Sequence, residues 1–145
     1  MGSVVASNVL GPDTYVVSVL VAGGQLVEPD AANAGKVKVA TAASTKILGV
    51  AEYDAAPLGS ISGTTSYGAV VIDMSTLQEE VAVAFVGTFK LKASGAIAFG
   101  DYVVSGALGV VVTAGATPAA GTVIGRCVEP AGIVSGALGL IRLAL

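Results

Sequence analysis

Histidine and tryptophan are absent from this 145-residue chain, cysteine occurs once, and only 12% of residues are charged. Each shortage excludes something. Without histidine there is no Ser-His or Cys-His nucleophile and no imidazole metal site. The lone Cys127, in the run GTVIGRCVEP, cannot form an internal disulfide and leaves the redox compartment unspecified. The chain has no histidine to activate it, and it reads as a buried apolar thiol. The net charge of −3 and a pI near 4.7 are wrong for a nucleic-acid partner, which needs a basic footprint to neutralise phosphates. Two local basic pairs, Lys36 with Lys38 and Lys90 with Lys92, have strand spacing and read as solvated lysines on one strand face.

The N-terminus MGSVVASNVL lacks a positive leader region, and Ala6 stands where a myristoylation signal needs Ser or Thr. The apolar run Val16–Ala22 stops at Gly23-Gly24 and is too short to span a bilayer. A soluble chain with no membrane partner is expected. The carboxylate pairs Glu28 with Asp30, Glu52 with Asp54, and Glu79 with Glu80 read as solvated strand ends. No loop resembles a calcium-binding hand, so no metal is expected. The glycine patterns lack the following helix that a phosphate-binding loop requires. With no pocket-forming motif around the lysines and carboxylates, the chain is not expected to be an enzyme or to hold a cofactor.

What is present is small and apolar. Hydrophobic residues make up 54% of the chain but aromatics only 5%, and there are 20 glycines. Small side chains bury little area, at about 25 cal/mol per Å², so one such domain has a thin core. A mean hydropathy of +0.85 implies more apolar surface than a small monomer hides, and burial in an assembly resolves that mismatch.

Period-two runs bounded by Gly, Pro, Asn and Asp recur along the chain. They are Tyr15–Ala22, Gln25–Glu28, Lys36–Ala40, Lys46–Tyr53, Val81–Phe85, Thr88–Lys92, the short Ile97–Phe99, Tyr102–Val104, Gly109–Thr113, Thr122–Glu129 and Leu138–Leu143, with Gly68–Met74 a further strand or hairpin arm. The fold class expected is all-β: a small antiparallel β-barrel or sandwich of about ten short strands. Residues 1–14 read as an extended N-terminal arm, residues 15–145 as one β-barrel domain, and Ala55–Tyr67 as a surface loop within an insertion at 55–76. One constant offset in numbering relates Gly24 to Gly100, Gly49 to Gly125, Val27 to Val103, and Ala40-Thr41 to Ala116-Thr117. Either this is a duplication, covering about 20–55 and 96–130 with both halves closing one barrel, or it is the coincidence that an Ala/Gly-rich chain produces.

The segment Leu91–Val103 (LKASGAIAFGDYV), the strand Gly121–Glu129 (GTVIGRCVE), the terminal LGLIRL and the earlier ATAASTKILGVAEYDA together resemble the capsid decoration, or cement, proteins of tailed bacteriophages. The resemblance covers about residues 20–55 and 77–145. It departs at the 57–76 insertion and the Gly-Pro-containing arm. It implies a β-barrel protomer, commonly trimeric, on the exterior of the virion head at or near three-fold positions. There it would bind the major capsid protein, and no cofactor or catalytic residue comes with it. Assembly in the host bacterial cytoplasm is implied as well. Contacts with the capsid or a neighbouring protomer are expected from the departing segments: Val4, Val5, Val9, Leu10, Pro12 and Tyr15 in and beside the arm, and Pro57, Leu58, Ile61 and Tyr67 in the insertion. The alternative class is a tail- or fibre-associated module that recognises a host surface glycan. Four Tyr, three Phe and no Trp give it little aromatic platform.

Overall fold

The computed structural model describes residues 11–57, 64–67, 70–73 and 77–145. The chain is nearly all β. Five strands close a barrel: β1 (Asp13–Val17), β2 (Leu26–Pro29), β3 (Lys36–Val39), β4 (Gly49–Ala51) and, after the insertion, β7 (Glu80–Ala84), in the order β1-β3-β2-β4-β7. Within the insertion, β5 (Thr64–Tyr67) and β6 (Val70–Asp73) pair antiparallel as a separate ribbon. A second five-stranded sheet follows, with β8 (Val86–Lys92), β9 (Tyr102–Ser105), β10 (Val111–Thr113), β11 (Val123–Cys127) and β12 (Leu138–Ala144) in the order β10-β9-β11-β12-β8.

The alternation read in the sequence explains both interiors. In the barrel, Val17, Val27, Val37, Ala51, Val81 and Val83 point inward with Val21 and Ala55 and form one apolar cluster. In the second sheet, Ala93, Val103, Val111, Cys127 and Ile141 do the same with Ile97 and Ile133. Cys127 is fully buried, as its apolar context implies.

The two sheets repeat one another in register as well as in strand order. Val27 pairs with Gly49 in the barrel and Val103 with Gly125 in the sheet, both members displaced by the offset seen in the sequence. The barrel closes through parallel pairing of Val17 with Val37. At the corresponding place the second sheet has a single parallel bridge between Ala93 and Val111. An antiparallel bridge from Val21 to Ala55 is matched by one from Ile97 to Ile133. The turn entering β2 has Gly24 at φ +86 and the turn entering β9 has Gly100 at φ +87, a left-handed conformation that glycine adopts without strain. Side-chain chemistry repeats too. Gln25 Oε1 accepts the Ala22 N–H at 2.7 Å, and Asp101 Oδ2 accepts the Ala98 N–H at 3.0 Å.

Where the interiors differ, volumes compensate. Ala55 and Val81 in the barrel correspond to Ile133 and Gly139 in the second sheet. A Cβ on Gly139 would run into the Ile133 side chain, so the larger residue occupies the space the glycine leaves.

Three expectations need correcting. Asp13 and Thr14, read as the end of the arm, pair with Val83 and Ala82 in β1, and residues 1–10 of that reading lie outside the described residues. Residues 64–67, read as loop, form β5, since a β-branched Thr-Thr pair found a partner in β6. The two halves do not share one barrel: β1–β4 and β7 close on themselves, and β8–β12 form their own sheet. Gly49, in β4, marks a close backbone approach, since a side chain there would collide with the Ala84 carbonyl.

Candidate interaction surface

The residues most capable of chemistry are occupied structurally. Glu28 is buried, accepts the Thr41 hydroxyl at 3.2 Å and lies 3.7 Å from Lys38 Nζ. Lys36 Nζ lies 3.9 Å from Glu79, so both lysines expected to be merely solvated reach carboxylates on neighbouring elements. Asp30 bonds back into its own turn, accepting the Ala32 N–H at 3.0 Å and the Asn33 side-chain amide at 2.7 Å. Hydrogen bonds from Ser18, Asn33 and Ala32 lower its pKa to about 2, because they stabilise the ionised form. The Lys38 charge adds a smaller lowering, so this ammonium acts on both Glu28 and Asp30. Asp54 accepts the Gly23 N–H at 2.7 Å. Among the described residues no group of three or more His, Cys, Asp or Glu could hold a metal ion. No described helix is long and apolar enough to cross a membrane.

The joint between the two sheets shows how this fold makes contacts. On the outer face of the barrel, Leu26, Val50 and Ala84 stand side by side across β2, β4 and β7. They are 0%, 3% and 9% exposed. Leu26 and Val50 belong to the apolar cluster of the second sheet, so the barrel's outer face is covered by the chain's own second half. Burying a side chain such as Leu26 or Val50 is worth about 1.5–3 kcal/mol. The covering piece includes the short 3-10 turn Ala107–Gly109 after β9. Gln25 Nε2 donates to the Leu108 carbonyl at 3.0 Å, and the Gly109 N–H donates to the Ala40 carbonyl at 3.1 Å. Ser105 Oγ donates to the Thr41 carbonyl at 2.8 Å while accepting the Ser44 N–H at 3.0 Å. Any side chain on Gly109 would come within 2.7 Å of the Leu26 carbonyl oxygen, so the backbones meet closely. Leu108 itself sits at φ +58 and is exposed, a strained position held at the joint.

The equivalent row on the second sheet is Tyr102, Arg126 and Arg142, side by side across β9, β11 and β12. All three are exposed, Tyr102 at 61%, and Phe99 beside them at 59%. Phe99, Arg126 and Arg142 line one shallow hollow. Neither guanidinium forms an ion pair among the described residues. Two like charges directly opposite each other destabilise a sheet. This row was not singled out from the sequence. Its three members come from three strands, and only the register aligns them. One available signal was charge segregation. Residues 1–85 hold eight Asp/Glu and three Lys, a net −5, while residues 86–145 hold two Asp/Glu and four Lys/Arg, a net +2.

Of the contact residues expected from the sequence, Val4, Val5, Val9, Leu10, Leu58 and Ile61 lie outside the described residues. Pro12 is exposed next to β1 and Pro57 is half-buried. Tyr15 is half-buried and packs on the barrel core, so it is part of the barrel wall. Tyr67 ends β5.

No family model and no curated protein matches the chain. Among solved structures, the fold is similar to the N base of head fiber gp8.5 of bacteriophage phi29, with a TM-score of 0.62 at 18% identity, over 94% of this chain and 95% of that one. The likeness therefore embraces both sheets and establishes a shared fold.

Proposed function

We propose that the chain is a structural protein of a phage head: a capsid decoration, or cement, protein that binds the outside of the major capsid protein lattice, as a homotrimer at or near three-fold positions, and stabilises the expanded head. The observation that carries this reading is the near full-length fold likeness to a head fiber base. It comes together with the decoration-protein motifs at Leu91–Val103 and Gly121–Glu129. The surface chemistry is compatible with it. Glu28, Asp30 and Asp54 are engaged in turns and strand pairs, and the contact already made within the chain is an apolar, backbone-close joint. Many such weak contacts on a lattice add through multivalency. The reading assigns no catalytic role, no cofactor and no nucleic-acid or membrane partner, and locates the protein on the virion exterior. The arm before β1 and the insertion at 57–76 are its proposed capsid contacts.

The test is to add purified protein to expanded heads that lack it and to count bound copies. Occupancy in the hundreds, with a higher disruption temperature of the head, is expected. A handful of copies would point to a tail component, and none would overturn the reading. Deleting residues 1–12 is expected to lower occupancy at limiting protein.

A second reading, a glycan-recognising tail or fibre module, is favoured by the exposed Phe99 and Tyr102 beside Arg126. Saturable binding to a glycan array, abolished by Tyr102→Ala, would establish it in place of the first.

A further inference from the structure

We propose that the Tyr102–Arg126–Arg142 row is a docking face for the first barrel of a second copy of this chain, repeating between molecules the joint that the two halves make within one. The inference rests on the self-association in the proposed function and is independent of capsid binding.

Three observations carry it. First, the row is the counterpart of Leu26–Val50–Ala84, strand by strand and register by register. In the barrel that face is buried under the second half, whereas in the second half it is left open. A joint that fits one repeat onto the next is heterologous, and it leaves one unused face and one unused complement on every chain.

Second, the unused complement can be identified. The second half covers the barrel with Ser105–Gly109, and the matching part of the barrel is the turn from Pro29 to Lys36. That turn is exposed from Ala31 to Gly35. Asp30 stands where the second half has Gly106; it is buried, and its carboxylate is held beneath the turn by the Ala32 and Asn33 bonds. Docked in the same way, the uncharged exposed turn Ala31–Gly35 would lie at the Tyr102 end of the arginine row.

Third, the charges fit that direction of association. Residues 1–85 are net −5 and the remainder net +2, so barrel against second sheet attracts, while like halves against each other do not. Replacing Leu and Val by Tyr and Arg turns an apolar permanent joint into a polar one. That suits an interface which must first exist as free surface. The opposed arginines, which cost stability in the isolated sheet, would there face the half that carries the net negative charge.

The experiment uses the full chain without capsids. Sedimentation velocity across a concentration series should show self-association that weakens with added salt. Arg126→Glu combined with Arg142→Glu should weaken it by roughly tenfold or more. Both side chains are exposed, so the thermal melt of the diluted variant should match the parent and exclude misfolding. A photo-cross-linking residue in place of Tyr102, in a mixture of isotope-labelled and unlabelled chains, reports the contact. Cross-links to residues 29–36 of the other chain are expected. Cross-links to the other chain's own 99–102 region, an unchanged association of the Arg variant, or a chain monomeric at every concentration would each overturn the proposal. A chain that associates in this way yet leaves heads bare would sink the capsid reading and leave this one standing.

Discussion

The barrel and the second sheet share strand order, register and interior, and they part company on one outer face. Leu26, Val50 and Ala84 are buried there in the first half, and Tyr102, Arg126 and Arg142 are exposed in the second. The interiors include a compensated exchange, Ala55 and Val81 for Ile133 and Gly139, of the kind that packing at conserved volume tolerates. The outer face has no such constraint once it is uncovered, so its residues report what it touches. We propose that the two halves descend from one duplicated unit. The face that differs is then the one whose partner changed.

The largest effect is expected from carrying the exposed chemistry into the buried joint. Val50→Arg would place an unpaired cation in an apolar cluster and should cost more than about 4 kcal/mol in a urea titration. Full tolerance of that change would mean the joint is not a packed interface. Next comes the close backbone approach that both halves share. A side chain on Gly49 would meet the Ala84 carbonyl and one on Gly125 the Arg142 carbonyl. Each glycine-to-alanine change should cost about 3 kcal/mol, with Gly49 the worse because its φ of +156 is also rare for L residues. If only one of the two changes destabilised, the equivalence of the halves would fail.

A smaller effect sharpens the comparison of interiors. Ala55→Ile alone should overpack the barrel by about 1–3 kcal/mol. Adding Val81→Gly, which copies the second sheet's pair, should recover part of that loss. A purely additive double mutant would show that the two sites do not share one space. Replacing Arg126 or Arg142 with Ala should change the stability of the isolated chain by no more than about 0.5 kcal/mol, since neither makes an ion pair among the described residues.

The smallest effect is a pH dependence of the first half. Asp30 has its pKa lowered from 3.8 to about 2. A carboxylate depressed on folding stabilises the native state above its unfolded pKa, and that contribution is lost as pH falls through the folded value. The urea midpoint should therefore drop between pH 4 and pH 2 in the parent, and this part of the drop should vanish in Asp30→Asn.

Much of this was legible in the sequence, for local reasons. Alternation in VAVAF and KVKVA, with glycine and proline punctuation, placed ten of the strands within a few residues. The offset linking Gly24 to Gly100 and Gly49 to Gly125 aligned the halves. Long-range pairing was not legible. Nothing local says that Val17 should lie parallel to Val37, or that Ala93 should bridge Val111. Those pairings decide that each half makes its own sheet. The outer row was hidden for the same reason. Arg126 and Arg142 stand well apart in the sequence and become neighbours only through the β11–β12 register. The sequence pointed instead to the arm and the insertion, where the chain departs from the decoration-protein pattern.

The most direct test of the account is high-resolution electron density of an expanded phage head saturated with this protein. Ordered copies are expected on the outer shell, with the Tyr102–Arg126–Arg142 row of each covered by the Pro29–Lys36 turn of its neighbour. A shell with no density for the chain, or copies whose arginine rows face open solvent, would contradict it.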